Sequence, residues 1–520
     1  MKKITLLLVI AISFSVGVLN AATYYSTGNV DATVLTNWKT GTDGTGTSPL
    51  YFNTAGDVFI IQNGHSMTTS AAWAVGATSG NGKLQIQNGG KLTATFDITT
   101  KVGNTFQIDA GGTYEHNVAN NLSLLFTGTE SFDANSNFIV TLCATPFIGI
   151  AENGYGNLTF NNNLSASLSL NAKVTSIKGN LTVSTTNSSG AWKLNLTNTV
   201  ANTLTIGGNL ILNTADANGG LSFSTGSGAS TVTVNGNVSL TNGIIYVGSS
   251  TGVGALNVLG NFTQSGGSVN ANASSNPLPS INFTGTNSTF TKTEGNFVAT
   301  NLNMSVGTGT VLNLANSYSI GNGRSLTVNG TLNVGAADTL KIGGTTAGTG
   351  VINASVGTIV YNGTSAQTIS NIKDNTVNNL VVNNATGLTL SSDITVTGNL
   401  NSLAGTITLG NYNLTVTNTG SVTNIVDKII QNGTGVFTNN SPTTVISKSV
   451  DNLRFKTMGE SIEVSGLERG SKLMLYAING QSVINRICRE DSEVLTVKRG
   501  IYIAKIISSR QSYELKIIVE

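Results

Sequence analysis

Apolar and polar residues alternate in short runs along most of the chain. Five such runs begin with Gly-Asn: GNLTF at 156–160, GNLTV at 179–183, GNLIL at 208–212, GNVSL at 236–240 and GNFTQ at 260–264. Strict alternation predicts a β-strand with one buried face. The asparagines of these runs are 157, 180, 209, 237 and 261, so the spacings are 23, 29, 28 and 24 residues. Recurrence at this interval predicts stacked structural units.

Several repeat architectures compete for this pattern. Helical repeats do not fit, because no 3.6-residue apolar period is present and Gly, Asn and Thr are poor helix formers. The fixed leucine frame of leucine-rich repeats is absent, and tandem β-sandwiches need about 100 residues each. We therefore predict an all-β fold: a right-handed parallel β-helix with an N-terminal cap, followed by a small C-terminal β-sandwich. The residues themselves leave the hand and the number of coils open.

Each coil is expected to contain two or three short strands, with Gly or Asn at the corners where a positive φ is needed. Stacked Asn side chains are expected to form hydrogen bonds along the array. At about 26 residues per unit, residues 23–440 would form about 16 coils. We assign 23–110 to an N-terminal cap with the first coils, and 111–438 to the β-helix repeats.

The N-terminal part of the predicted array is rich in large aromatic residues, which suit a section that closes a core from one side. They are Tyr24, Tyr25, Trp38, Tyr51, Phe52, Phe59 and Trp73.

Composition excludes several classes of protein. Charged residues make up 10% of the 520 residues and Pro only 5 positions, whereas apolar residues make up 39%. Disorder needs low hydrophobicity with high charge or many prolines, so this composition does not indicate a disordered chain. The net charge of +2 is spread thinly, so there is no basic stripe to bind nucleic acid. The two cysteines, Cys143 and Cys488, do not form a disulfide framework, and a buried lone thiol is the expected state of Cys488.

The N-terminus has the pattern of a secretory signal. Lys2 and Lys3 precede an apolar run from Ile4 to Leu19, and Ala21 and Ala22 suit a signal peptidase. A membrane anchor is the alternative, but the run is short for a spanning helix. We assign 1–22 to a signal peptide and expect the mature chain to leave the cytoplasm without a transmembrane segment.

The composition changes near the C-terminus. Residues 451–520 contain 20 of the 50 charged residues, and the other 30 are spread over the first 450 positions. This change predicts a domain boundary, with 439–450 as the linker. Runs such as SIEVSGL, KLMLYAINGQSV and GIYIAKII predict strands separated by turns, hence a small β-sandwich at 451–520. The Asn479-Gly480 pair predicts a tight hairpin with two positive φ angles.

Two parts of the chain resemble known families. The body resembles large β-helical, adhesin-like surface proteins of Bacteroidetes-type bacteria. The residues that carry this resemblance are Trp38, Asp57, the run at 60–67, the run at 88–92 and the section 357–416. The tail is similar to the type A C-terminal sorting domain of the type IX secretion system. The residues that carry this second resemblance include Ile462, Val464, Gly466, Leu467, Ala504, Ile506, Ile517 and Val519.

The sorting motif itself comprises Leu475, Tyr476, Asn479, Gly480, Gln481, Gly500, Ile501, Tyr502, Lys505 and Lys516. The resemblance implies that the tail is recognised by the type IX secretion machinery at the outer membrane and removed after export. An ordinary C-terminal domain that only caps the array is the alternative.

Candidates for catalysis are few. The body after the signal contains 15 carboxylates and one arginine, Arg324. His65 and His116 could together bind a metal, but we interpret them as corner residues near the cap. Asp109 and Glu115 could hold calcium, although a solvated pair of turn residues is the simpler interpretation. We therefore predict no catalytic, cofactor-binding or metal-binding residues, no cofactor, and no enzyme activity.

The sequence thus favours a secreted or cell-surface structural or adhesive protein, associated with the outer membrane, whose partners are the secretion machinery and possible glycans or surfaces. The alternative is a β-helix polysaccharide lyase or glycosidase acting on extracellular glycans. That alternative requires two carboxylates within about 10 Å of each other in one groove. A passive spacer is the third possibility.

Overall fold

The computed structural model describes residues 21–77, 80–119, 128–143, 154–162, 166–184, 193–248, 251–271, 278–297, 301–417, 419–425, 427–441, 453–457, 460–508 and 512–519. Nearly all of the predicted signal peptide and most of the predicted linker lie outside these residues. The chain divides into two compact units, Met1–Asn353 and Ala354–Glu520. The only helical element in the described residues is the 3-10 turn Leu35–Asn37.

The first unit is a parallel β-helix built around one long ladder of strands. Its strands pair in parallel in chain order, and the last one pairs with the start of Val351–Tyr361. They are Ser66–Thr68, Lys91–Ala94, Thr113–Asn117, Asn137–Leu142, Asn157–Phe160, Leu181–Val183, Leu210–Asn213, Val238–Asn242, Phe262–Gln264, Asn287–Lys292, Val311–Leu314 and Thr331–Val334.

Further sheets complete the coils of this unit. Sheet A contains Thr23–Ser26, Trp38–Lys39, Val58–Ile61, Lys83–Ile86, Thr105–Ile108 and Thr129–Phe132. Sheet D contains Ser176–Ile177, Asn202–Ile206, Ser230–Val234, Gly254–Val258, Ser280–Phe283, Asn303–Val306, Ser325–Val328 and Thr345–Ala347. Sheet E contains Leu168–Ser169, Lys193–Thr197, Gly220–Ser224, Ile244–Gly248, Ser268–Ala271 and Asn296–Phe297. Two smaller parallel pairs are Trp73–Val75 with Ile98–Thr100, and Tyr318–Ile320 with Thr339–Ile342.

The alternating pattern sorts side chains between the core and the surface. In sheet D the inward positions of successive coils form an apolar column that is fully buried: Leu204, Val232, Leu256, Ile281, Met304 and Leu326. The outward positions between them are polar or small. The core of each coil is therefore made by matching positions of its neighbours, as the repeated pattern predicts.

Asparagines stabilise the corners of the coils. The side-chain oxygen of Asn157 accepts the backbone N–H of Asn180 at 2.8 Å, and Asn180 accepts that of Asn209 at 2.7 Å. A second column joins amide to amide, since Asn333 donates to Asn313 at 2.8 Å and Asn353 donates to Asn333 at 3.0 Å. The expected asparagine ladder is confirmed, but in the Gly-Asn runs its acceptors bond to backbone rather than to another side chain.

The predicted aromatic cluster is present near the N-terminus. Trp38 packs edge-on against Phe59, with ring centroids 5.3 Å apart, and lies 5.7 Å from Trp73. Phe52 lies against both Phe59 and Trp73. Trp38 is fully buried and its indole N–H donates to the carbonyl of Ala32 at 2.9 Å. Tyr51, in contrast, is 63% exposed and does not belong to the buried core.

The described residues contain about 14 turns of parallel β-solenoid, rather than the expected number of about 16. One reason is the long excursion between the first two paired strands, where Tyr24 pairs directly with Phe59. The intervening residues include the antiparallel strand Trp38–Lys39, which pairs with Tyr25 and Ser26. This excursion uses residues that the average spacing would have assigned to a further coil.

The second unit also contains parallel coils. Its strands are Ile372–Asn383, Ile394–Val396, Asn399–Ala404, Leu414–Val416, Ser421–Thr423 and Phe437–Asn439, together with a sheet of Gln367–Ile369, Leu388–Leu390, Ile407–Thr408 and Ile429–Ile430. These strands pair with one another in parallel in the described residues. The predicted all-β fold and parallel β-helix are confirmed.

The last part of the second unit consists of antiparallel sheets. One contains Arg454–Thr457, Ser461–Ser465 and Ser492–Thr496. The other contains Lys472–Ala477, Ser482–Ile487, Gly500–Ile507 and Ser512–Val519. Both contribute to one buried cluster, which includes Ile462, Val464, Leu475, Leu495, Tyr502 and Ile506. The change from parallel to antiparallel pairing coincides with the change in charge content.

Candidate functional site

The outer face of sheet D presents a regular array of short polar side chains. One column of matched positions contains Ser176, Thr205, Thr233, Asn257, Asn282, Ser305, Thr327 and Ala347, and the parallel column contains Thr203, Thr231, Ala255, Ser280, Asn303, Ser325 and Thr345. We call these 15 positions the sheet D face. None of them is charged or aromatic, and neighbouring strands repeat roughly every 4.8 Å.

Side chains on the sheet D face hold one another in place. Asn257 donates to the hydroxyl of Thr233 at 3.1 Å, and Asn282 donates to the side-chain oxygen of Asn257 at 2.9 Å. The hydroxyl of Ser305 then donates to the side-chain oxygen of Asn282 at 2.8 Å. A face fixed in this way loses less side-chain entropy when it binds a ligand.

A cleft of about 500 Å³ lies at the last strand of sheet A. It is lined by Gln107, Ile108, Asp109, Ala110, Ser131, Phe132, Asp133, Ala134 and Lys178. Ile108 pairs with Phe132, and Asp133 donates its backbone N–H to the carbonyl of Ile108 at 3.0 Å. Asp109 and Asp133 therefore occupy equivalent positions in neighbouring coils, roughly 4.8 Å apart along the backbone ladder.

Both aspartates follow the strand at the same corner. Each carbonyl accepts the N–H three residues later, from Gly112 onto Asp109 at 2.9 Å and from Ser136 onto Asp133 at 3.1 Å. In the two preceding coils this corner position is held by the neutral residues Gln62 and Gln87, whose carbonyls make the same turn. The side chain at this corner is therefore an amide in the first two coils and a carboxylate in the two coils that line the cleft.

Each charged side chain of the cleft has a defined contact. The carboxylate of Asp109 accepts N–H groups from Gln85 at 2.7 Å and from Gln107 at 2.6 Å. Asp133 accepts the backbone N–H of Asn135 at 2.8 Å. The ammonium of Lys178 donates to the carbonyl of Phe132 at 2.6 Å.

The interpretation of Asp109 and Glu115 as a solvated pair of turn residues is only half right. Glu115 lies within the strand Thr113–Asn117 and forms an ion pair with Lys91 at 2.7 Å. Asp109 has different partners, the two glutamines, and its carboxylate neighbour along the ladder is Asp133. Asp133 and Lys178 were not predicted from the sequence as members of a site. The available signal was the Asp-Ala pair at 109–110 and again at 133–134, an interval of one coil.

The two histidines occupy unlike environments. Nδ1 of His65 lies 2.7 Å from the hydroxyl of Ser26, at a corner as expected. His116 is fully buried inside a strand, with Nδ1 3.1 Å from the hydroxyl of Tyr114, so its interpretation as a corner residue is wrong. In the part of the chain that the structure describes, no group of three or more His, Cys, Asp or Glu side chains could hold a metal ion.

The residues of the predicted sorting motif lie on the antiparallel sheets of the tail. Leu475 is fully buried, and Tyr502 is 6% exposed and donates its hydroxyl to the carbonyl of Lys498 at 2.6 Å. Gly500, Ile501 and Lys505 belong to the strand Gly500–Ile507, where Ile503 pairs with Lys516. Lys516 is exposed.

The hairpin at Asn479-Gly480 differs from the predicted two-residue turn. Only Gly480 of this pair has a positive φ, 84°. Gly480 donates its N–H to the carbonyl of Ala477 at 2.8 Å, and Ala477 donates to the carbonyl of Gln481 at 2.9 Å. These bonds define a three-residue loop with a bulge glycine. Asn479 contributes by accepting the N–H of Gln481 at 3.1 Å.

Both cysteines are free thiols. Burial raises the pKa of Cys143 to about 12. Burial, helped by the charge of Glu493, also raises the pKa of Cys488, which is 1% exposed and belongs to the core of the tail. The interpretation of Cys488 as a buried, lone thiol is confirmed, because a raised pKa disfavours the reactive thiolate.

Neither the known protein families nor the curated proteins include a match to this chain. No helix within the described ranges has both the length and the apolar character needed to cross a membrane.

Proposed function

We propose that this chain is a secreted, cell-surface structural or adhesive protein that contacts glycans or other surfaces through the sheet D face. The observation that carries the proposal is the uncharged array of 15 short side chains at matched positions of a parallel ladder, of which Thr233, Asn257, Asn282 and Ser305 are linked by hydrogen bonds. Each hydroxyl or amide binds weakly by itself, but simultaneous contact with a repeating partner raises the effective concentration at every further contact.

The adhesive role is tested with the full chain and a set of insoluble polysaccharides: microcrystalline cellulose, chitin and mannan. The triple variant Thr205→Lys, Thr233→Lys, Thr327→Lys places bulky charges on the sheet D face. The matched control is Thr159→Lys, Thr182→Lys, Thr263→Lys, which changes outward threonines of the long ladder. We expect the first variant to lose at least tenfold in binding and the control to retain it. If wild type binds the polysaccharides and the two triple variants bind them equally well, the sheet D face is not the binding surface.

The same proposal includes export by the C-terminal tail through a type IX-like system, followed by its removal. The antiparallel sheets with their own core support this, because such a tail could be recognised and cleaved separately from the parallel coils. The motif residues of the tail resemble the type A sorting domain, and this resemblance is the reason for proposing the type IX secretion system. Deletion of 451–520 should leave the protein in the periplasm of a host with this system. Normal surface delivery of the truncated chain, measured by protease accessibility on intact cells, would refute the assignment.

A second candidate function is cleavage of extracellular glycans. One observation favours it: Asp109 and Asp133 line the same cleft from adjacent coils. Paired carboxylates at short separation are what glycosidases use as acid and nucleophile or base. Incubation of the purified chain with soluble polysaccharides, followed by reducing-end analysis, decides the point. Product formed by wild type and lost in both Asp109→Asn and Asp133→Asn would establish this activity, and no product would exclude it for the substrates used.

A further inference from the structure

We propose that the cleft at the last strand of sheet A binds a sugar residue of a neutral glycan. This inference rests on the proposed adhesive function and assigns it a discrete subsite, apart from the extended sheet D face. The cleft has a volume of about 500 Å³ and is open to solvent, so it can contact one sugar unit of a longer chain rather than enclose a ligand.

The cleft offers the acceptors and donors that adjacent sugar hydroxyls need. Carboxylates accept hydrogen bonds from hydroxyl groups, and Asp109 and Asp133 present two carboxylates from one corner of successive coils. An ammonium group has three donors, of which Lys178 directs one to the carbonyl of Phe132. A sugar hydroxyl both donates and accepts, so it can bridge a carboxylate and the ammonium.

The position of the Asp109 carboxylate is set before any ligand arrives. Gln85 and Gln107 donate to its two oxygens, and Lys83 approaches the side-chain oxygen of Gln107 at 3.4 Å. These contacts join two neighbouring strands of sheet A, Lys83–Ile86 and Thr105–Ile108. A carboxylate oriented in this way loses little freedom when a hydroxyl binds to it.

The charge of the cleft selects against anionic sugars. Its lining holds two carboxylates and one ammonium group, so uronic acids would meet net repulsion at short range. The exposed methyl groups of Ala110 and Ala134 add small apolar surfaces beside the polar groups, which suit the C–H face of a pyranose ring. A neutral hexose unit fits this combination better than a uronate or a free phosphate.

The test uses cellohexaose, chitohexaose and mannohexaose, with hexagalacturonate as the anionic comparison, and calorimetry on the full chain. Asp133→Asn removes one charge of the cleft while its amide oxygen can still accept the N–H of Asn135. Its matched control is Asp216→Asn, since Asp216 accepts the N–H of Asn218 at 2.7 Å in the same kind of turn and does not line the cleft. Ala134→Phe fills the cleft at an exposed position.

We expect wild type to bind at least one neutral hexaose and to bind hexagalacturonate at least tenfold more weakly. Asp133→Asn and Ala134→Phe should each weaken binding of the neutral hexaose at least tenfold, whereas Asp216→Asn should not change it. Equal affinity in wild type and both cleft variants would overturn the cleft as the site. Binding of insoluble polysaccharide without binding of any hexaose would also overturn the cleft but leave the adhesive function intact. Failure to bind either polymer or hexaose would overturn both.

Discussion

The side-chain oxygen of Asn209 accepts the backbone N–H of Asn237 in the next coil, at 2.7 Å. The same relationship joins Asn237 to Asn261 at 2.8 Å, and Asn261 to Thr289 at 2.9 Å. The N–H groups of Asn237 and Asn261 each follow a Gly and lie just before a strand begins, so an amide from the preceding coil supplies their partner. A backbone group without any partner would be costly.

We predict that Asn209→Ala destabilises the corner by about 1 kcal/mol, the usual net value of one hydrogen bond. The amide of Asn237 should exchange with solvent several-fold faster, because its acceptor is lost. Hydrogen exchange followed by mass spectrometry measures this locally. Asn209→Asp retains an acceptor and should behave like wild type. Asn235→Ala is the second control, because Asn235 is exposed and lies in the turn just before Asn237. Unchanged exchange at Asn237 in Asn209→Ala would contradict the ladder.

The aromatic cluster near the N-terminus should be a main source of stability for the first coils. Trp38→Ala removes a fully buried ring, its contacts with Phe59 and Trp73, and its hydrogen bond to Ala32. Large-to-small changes of this kind cost about 3–5 kcal/mol. Denaturant unfolding followed by tryptophan fluorescence would show the loss. Tyr51→Ala, at a 63% exposed ring, should change stability by less than about 0.5 kcal/mol. A similar effect of both substitutions would be inconsistent with the packing.

The carboxylate of Asp31 should make the N-terminal region sensitive to acid. Partial burial opposes its ionisation, but hydrogen bonds from the hydroxyls of Ser70 and Thr33 and from the N–H of Thr33 prevail and lower its pKa. Because the folded-state pKa lies below the unfolded value, the carboxylate adds stability above the unfolded pKa. That stability is lost as the pH falls through the folded pKa.

The thermal midpoint of Asp31→Asn should therefore lie below that of wild type at pH 7. The difference should shrink towards zero as the pH falls through the folded-state pKa, because below it both forms are neutral at this position. Asp338→Asn, which removes the same charge elsewhere, serves as the control for net charge. A difference that stays constant from pH 7 down to the acid-unfolding limit would show that ionisation of Asp31 does not contribute.

The bulge glycine of the tail should be sensitive to a side chain. Gly480 has φ 84°, where an L-residue costs about 1–2 kcal/mol, so Gly480→Ala should destabilise the antiparallel sheets by that amount. Gly500→Ala is the matched control, because Gly500 lacks a positive φ and an added methyl would meet the ring of Tyr502 at an ordinary 3.5 Å. Hydrogen exchange of the strands 472–477 and 500–507 measures both. Equal protection in the two variants would argue against the loop geometry.

Several features of the fold were predictable because their signals are local in sequence. Alternation of apolar and polar residues decides which side of a strand is buried, as in the run from Asn202 to Ile206. The aromatic cluster could be foreseen because large rings concentrate in one section. The hairpin loop of Ile478, Asn479 and Gly480 was predicted in place but not in type, since the register of the flanking strands decides which residue takes the positive φ.

The amino-acid pattern alone determined that this chain forms stacked parallel strands with apolar positions inside and asparagines at the corners. It did so because a two-residue alternation and a recurring Gly-Asn turn act over a few neighbouring residues. Only the tertiary structure decided which side chains of different coils meet, such as Asp109 with Gln85 and Glu115 with Lys91. The advance from coil to coil ranges from 19 residues, between Leu388 and Ile407, to 35, between Tyr24 and Phe59. Contacts between coils therefore depend on the register of each pair of strands, and no average spacing predicts them.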